Sequence, residues 1–284
     1  MNLSTDHILS IPSGRINEDR AGARGNMAWI IDGATDLGDE AIVGRHSDAA
    51  WLADHIDRSL RKSAANVEAD LGDLLALVTN SAATAFSNDC RRTPADTFEH
   101  PSAAGIIARL RGGRFEFLSL GDCTLLVAHA DGAVTRAGVA REDAGDAKLA
   151  PVLQAAAGTG GDLNAVERRA RLMPYLRAAR NMMNRPDGYG IFSITLPPEA
   201  LVVRGGFDVT PGTRLMLASD GFMRLVDLYG RYDDRSLMAA VLGKGPEPLL
   251  AELRTIEAGD AGADRYLRAK SSDDASVLIA SVVA

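Results

Sequence analysis

Short apolar runs that stop at acidic residues alternate with amphipathic stretches along this chain. The run from Asn26 to Ile31, ending on the β-branched pair Ile30-Ile31, is closed by Asp32-Gly33 and predicts a buried strand with an aspartate at its end. From Gly44 to Leu60 the apolar positions Ala49, Leu52, Ala53, Ile56 and Leu60 recur at helical spacing, and Leu74, Leu75, Val78 and Ala82 do so between Leu71 and Phe86. Three runs follow, Ala103 to Arg111, Arg114 to Leu120 and Thr124 to Ala130, joined by Gly112-Gly113 and Gly121-Asp122. They read as an antiparallel meander, which Asp131-Gly132 continues into Ala133 to Arg136. Further on, Arg214 to Ser219 stops at Asp220-Gly221. Helical patterns follow near Phe222 to Leu228, Ser236 to Leu242 and Pro246 to Glu257. Ala275 to Val283 is a last strand, preceded by Asp273-Asp274.

The stretch of about residues 140–198 breaks this rhythm. It holds the Gly-rich bend Gly158 to Gly161, a charged helical pattern at Leu163 to Arg171 and the loop Asn184-Arg185-Pro186-Asp187-Gly188. Too few apolar positions lie in it for a core of its own, so it reads as a surface flap on a single domain covering residues 1–284. No internal repeat or linker divides the chain.

Composition narrows the function class. Apolar residues make up 46% and charged residues 24% of the 284, enough for a sizeable core, while aromatics are only 5%, so Ala, Leu, Val and Ile must fill it. A net charge of -7 gives no basic footprint for nucleic acid. No run approaches a membrane span, and Met1 to Ser10, with Asp6 and His7, predicts no secretory leader. Two cysteines, Cys90 and Cys123, make neither a disulfide framework nor a metal knuckle, and a reducing, cytoplasmic setting is expected. No arginine lies six residues after either, so the anion loop of a thiol phosphatase is missing. Cys123 reads as a small buried hydrophobe. Gly158 to Gly161 lacks the Lys-Ser/Thr of a phosphate loop. His46 reads as a surface or capping residue.

Four aspartates sit at the ends of strand-like runs: Asp32, Asp122, Asp220 and Asp273. The acidic pair Glu18-Asp19 precedes the first of them. If these strands share a sheet or sandwich, the carboxylates converge, and divalent cations are needed to relieve their repulsion. An all-oxygen set suits Mg²⁺ or Mn²⁺. Asp-Gly also closes hairpins without any metal, and for Asp122 both readings stand.

The motifs Asn17-Glu18-Asp19-Arg20, Ile31-Asp32-Gly33, Leu120-Gly121-Asp122, Leu217-Ala218-Ser219-Asp220-Gly221 and Asp273-Asp274-Ala275-Ser276-Val277 occur in this order between about residues 14 and 280. Together they resemble the protein phosphatase 2C (PPM) family of metal-dependent serine/threonine phosphatases, in its bacterial form. The resemblance implies an α+β fold, a four-layer α/β/β/α sandwich of two antiparallel sheets flanked by helices. It implies two Mg²⁺ or Mn²⁺ ions held by Asp19, Asp32, Asp220 and Asp273, by the Gly33 carbonyl and, through water, by Glu18; Asp122 matches a ligand of a third ion. Asp32, Asp220 and the phosphate-binding candidate Arg15 would carry catalysis. A hydroxide bridging the two metals would attack phosphorus in a phosphorylated protein substrate, with no covalent phosphoenzyme.

At three points the chain departs from that family. Ala34 stands where many members have histidine, Arg15 is closer to the acidic pair than usual, and Arg224 replaces the acid four residues after Asp220, with Asp227 one turn further on. Two ions are therefore expected, and the third site lacks that acid. Besides a protein phosphatase, the sequence admits a phosphatase-like regulatory or binding module with little turnover, and a phosphatase of small metabolites.

Overall fold

The structure, a computed structural model, describes residues 1–64, 70–140, 151, 153, 154 and 165–284. Two antiparallel sheets carry it. One joins β1 (Asn2–Ile11), β11 (Ala275–Val283), β10 (Arg214–Ala218), β6 (Thr124–Ala128) and β7 (Val134–Gly138), in that order. The other runs β2 (Arg20–Arg24), β3 (Met27–Gly33), β4 (Ser102–Arg111), β5 (Arg114–Leu120) and β9 (Val203–Asp208), and the two-residue β8 (Phe192–Ser193) pairs the start of β4.

Strand β3 shows why the apolar runs are continuous rather than alternating. Its odd and even side chains point to opposite faces, and both faces are covered. Ile30 enters the core between the sheets with Ile106, Phe115, Leu125, Leu217 and Leu278. Trp29 and Ile31 turn outward onto α1 (Asp48–Ser63) and α2 (Leu71–Asp89), against Leu52, Ile56, Leu74 and Val78. The outer face of the first sheet is covered in the same way. Met216, Val277 and Ile279 meet Phe222 of α4 (Asp220–Asp227), Leu237 of α5 (Asp234–Lys244) and Leu249 and Leu253 of α6 (Pro246–Gly259). The layers are thus helix, sheet, sheet, helix, as the resemblance implies. Among the described residues no helix is long and apolar enough to cross a membrane.

The starts of α1, α2 and α5 are capped by side chains, that of α5 by an Asp233–Ser236 capping box. Ser47 accepts from the Ala50 N–H at the start of α1, and Asp70 forms a capping box with Asp73 at the start of α2.

The meander expected over residues 103–136 is corrected in one joint. Strands β4 and β5 do form a hairpin, and so do β6 and β7. Between β5 and β6, however, Gly121-Asp122 carries the chain from one sheet to the other. Gly121 has φ +77° and an added Cβ would lie 2.5 Å from the Ala104 Cβ, so this crossing needs glycine.

Strands β1, β2 and β9 carry no clear apolar signal in the sequence. All three lie at sheet edges, where exposure replaces the apolar pattern with polar residues and glycine. Residues 141–150, 152 and 155–164 of the expected flap, including Gly158 to Gly161, lie outside the described residues. From it emerges α3 (Ala165–Arg180), a longer helix than the charged pattern predicts and with Pro174 inside it.

Candidate metal centre

The sandwich brings the acidic ends of several strands to one edge. Asp32 is the penultimate residue of β3, and Asp19 immediately precedes β2, its neighbour. Asp220 opens α4 directly after β10, and Asp273 stands two residues before β11, the partner of β10. Asp122 lies on the β5–β6 crossing, next to Gly121, which packs against Ala104, the residue that pairs with Asp32 across the β3–β4 ladder.

Neither Asp-Gly pair of the centre closes a hairpin. A Cβ on Gly33 would sit 2.6 Å from the Glu18 carbonyl oxygen, and one on Gly221 would sit 1.9 Å from that of Asp274. Both glycines let two acid-bearing segments pass within touching distance. The Gly33 N–H donates to Glu18 O at 3.2 Å, which fixes the first of these crossings.

Electrostatics report the convergence. Burial pushes the Asp32 carboxyl well above the ordinary aspartate range, and the charges of Asp19, Asp220, Asp273 and Asp122 push it further. Asp19 is almost fully buried, and its carboxyl is raised to about 7, chiefly by burial. The Ser276 and Ser219 side chains oppose the shift, and Asp274 and Asp273 add to it. Among the described residues its Oδ2 has no hydrogen-bond partner. An orphaned carboxylate oxygen is costly in a dry site unless a cation completes it.

Around these acids a polar frame holds the loops. Asp274 accepts from the Ser13 N–H (2.7 Å), the Ser13 hydroxyl (3.0 Å) and the Glu18 N–H (2.6 Å). It thereby clamps the acidic-pair loop to the start of β11. Asn17 accepts from the Asp19 N–H and donates to the Ser10 carbonyl. Glu18 is held by the hydroxyls of Ser47 (2.5 Å) and Thr35 (2.6 Å).

Three cations border the centre, and the sequence reading passed over the roles of two of them. Lys270 donates to Asp273 Oδ1 at 2.8 Å, and Arg224, buried at the position of the missing acid, reaches Asp273 Oδ2 at 3.4 Å and Glu257 at 3.2 Å. Together they hold the Asp273 carboxyl below the usual aspartate range, although burial alone would raise it. Arg180, at the end of α3, donates to Ser102 Oγ at 2.9 Å and to the carbonyls of Ala34 and Thr35. It braces the segment where many family members carry histidine. Lys270 stands three residues before Asp273, so proximity along the chain was its one visible signal. Arg15 is exposed on the loop before Asn17, and His46 is exposed at the surface. Cys123 is buried, and burial above all, then the surrounding carboxylates, raises its thiol far out of the reactive range.

Among the described residues no three or more Asp, Glu, His or Cys side chains form a ready-made metal cage. The acids share one field without yet sharing a coordination sphere. The donor chemistry nevertheless fits a hard divalent ion: carboxylate oxygens, one of them orphaned and buried, crowded enough to suppress one another's ionisation.

No protein-family profile matches the chain, and no curated protein matches it in sequence. Solved structures do match in fold. The Mycobacterium tuberculosis serine/threonine phosphatase PstP/Ppp superposes with a TM-score of 0.55 at 16% identity, covering 100% of both chains. The PstP catalytic domain bound to two manganese ions gives 0.55 at 18% identity over 100% of this chain and 99% of that one. The S. agalactiae serine/threonine phosphatase gives 0.55 at 14% identity over 98% of each. Two antiparallel sheets packed face to face between helical layers, matched end to end, give this chain the fold of the bacterial PPM serine/threonine phosphatases.

Proposed function

We propose that the protein is a metal-dependent phosphatase acting on phosphoserine or phosphothreonine in proteins. The observation that carries this reading is the convergence on Asp32 of Asp19, Asp220, Asp273 and Asp122, supported by the buried, unpartnered Asp19 Oδ2.

Asp19, Asp32, Asp220 and Asp273, with the Gly33 carbonyl, are the residues to hold two Mg²⁺ or Mn²⁺ ions, and Glu18 acts from behind through water. When bound, such a pair supplies a nucleophilic hydroxide at neutral pH and charge neutralisation for in-line attack on phosphorus. The chain's own part is positional. Asp274 and Asn17 hold the Glu18-Asp19 backbone in register, and Ser47 and Thr35 orient the Glu18 carboxylate. Arg15, exposed on the same loop, is the residue assigned in this reading to meet the dianionic phosphate ester. Ala34 offers no proton donor, so the leaving alkoxide takes its proton from water. Substrates in this reading are phosphorylated proteins, since the rim is formed by exposed loops.

The test is hydrolysis of p-nitrophenyl phosphate and of a phosphothreonine peptide with Mn²⁺, Mg²⁺ or EDTA, wild type against Asp220→Asn. Turnover that requires metal and falls at least about 100-fold in the variant supports the proposal. Folded protein with no turnover under any metal overturns it.

A further inference from the structure

A family-like acidic centre has a cation of its own here. Lys270 sits three residues before Asp273 and donates to it at 2.8 Å, with 31% of its side chain open to solvent. Its position is built, not incidental. The loop from Asp260 to Ser271 is organised around Arg268, whose side chain is fully buried. Arg268 donates to Asp260 Oδ2 at 2.5 Å, to the Tyr266 carbonyl at 2.9 Å and to the Ser271 carbonyl at 2.9 Å. Asp260 in turn accepts from the N–H groups of Asp264, Arg265 and Tyr266. That frame delivers Lys270 to the mouth of the centre. On the far side of Asp273 stands Arg224, 4% exposed and tied to Glu257, so the Asp273 carboxylate lies between two side-chain cations.

Resting on the metal-centre reading above, we propose that Lys270 is a tethered competitor of the divalent ion: its ammonium occupies the cation position at Asp273, and a metal gains Asp273 as a ligand only when Lys270 swings out to solvent. An ammonium and a divalent ion are both hard cations that seek the same carboxylate oxygens, and one oxygen direction cannot serve both. Arg224 is locked behind by Glu257 and stays. Lys270, partly open on a flexible four-carbon stem, is the one able to leave. Asp273 is thereby kept electrostatically satisfied without metal, and metal affinity is set below that of the bare carboxylates.

Calorimetric titration of Mn²⁺ into metal-free protein tests this. Lys270→Met is expected to tighten Mn²⁺ binding about tenfold or more, since no charge-assisted hydrogen bond must then be broken. Lys270→Arg, which keeps the charge, is expected to show no gain. In an Asp273→Asn background the gain from Lys270→Met is expected to vanish, because the competition acts through Asp273. Lys244→Met, remote on α5, controls for net charge. In the unaltered protein, saturation with diamagnetic Mg²⁺ is expected to move the Lys270 ammonium NMR signal to the position of a solvated lysine. Unchanged Mn²⁺ affinity in Lys270→Met, a gain that persists in Asp273→Asn, or a Lys270 signal unmoved by Mg²⁺ would overturn the proposal. Metal-dependent turnover alongside unchanged affinity defeats the Lys270 proposal alone. A tenfold gain without turnover in any variant defeats the phosphatase reading alone.

Discussion

At the scale of single residues, two glycines and one aspartate decide whether the centre can form. Gly221 lies where a Cβ would come within 1.9 Å of the Asp274 carbonyl oxygen, and backbone cannot swing aside as a side-chain tip can. Gly221→Ala is therefore expected to cost about 3 kcal/mol, seen as a melting temperature lowered by roughly 6–12 °C. Gly243→Ala, in a helix with open space around the new methyl, is expected to be neutral or slightly stabilising. Equal effects at the two positions would refute the steric argument. Asp274→Ala removes three hydrogen bonds, two to N–H groups of the Ser13–Glu18 loop. Loss of this clamp is expected to weaken Mn²⁺ binding at least about tenfold, as supports behind metal ligands typically do. Unchanged Mn²⁺ affinity would show that the loop needs no such tie. The Asp-Gly pairs also show how a sequence signal can be right in place and wrong in reason. They look like turns, yet their glycines serve close approach of two chain segments.

At the scale of elements, α3 is the piece that the apolar pattern describes least well. Its charged sequence hid its role, which is to brace the segment after Gly33 through its basic C-terminal turn. Arg180 holds the Ala34 and Thr35 carbonyls and Ser102, while Arg177 donates to the Leu37 carbonyl at 2.9 Å and stacks over Phe98. Arg180→Met is expected to raise amide hydrogen exchange across residues 34–39 about tenfold while leaving the exchange of β3 and β4 unchanged. Uniform exchange in wild type and variant would mean that the segment is held by other contacts. The buried strands β3, β4, β10 and β11 were legible because both faces of each are covered, which leaves long apolar runs. The edge strands β1, β2 and β9 were not, because half their side chains meet water.

At the scale of the whole molecule, the crowded carboxylates link stability to pH and metal. With its carboxyl raised to about 7, Asp19 keeps a proton in the folded, metal-free protein that an unfolded chain, with an ordinary aspartate near pH 4, has already lost. Stability from this group is full below about pH 4 and is lost as pH rises toward about 7. Asp32, raised in the same direction, extends the trend. In EDTA the melting temperature is expected to be several degrees lower at pH 8 than at pH 5.5. With Mn²⁺ the slope is expected to reverse, because the ion binds only ionised carboxylates and binding stabilises the fold by mass action. Parallel pH profiles with and without Mn²⁺ would count against a shared carboxylate centre.

From the linear chain alone came the buried strands, the helices that flank them and the acids at the strand ends, and the layered fold class followed from the family that its motifs resemble. These depend on local periodicity and on the order of short motifs, both of which a chain carries without being folded. The sequence also named Asp19, Asp32, Asp122, Asp220 and Asp273 as one set. Tertiary structure alone decided that β5 and β6 part into opposite sheets, that Asp274 is a clamp, and that Lys270 and Arg224 flank Asp273. Such facts depend on which distant segments meet across the sandwich edge. Arg224 and Glu257, for instance, are 33 residues apart in the chain and 3.2 Å apart in space, and no periodicity encodes that distance.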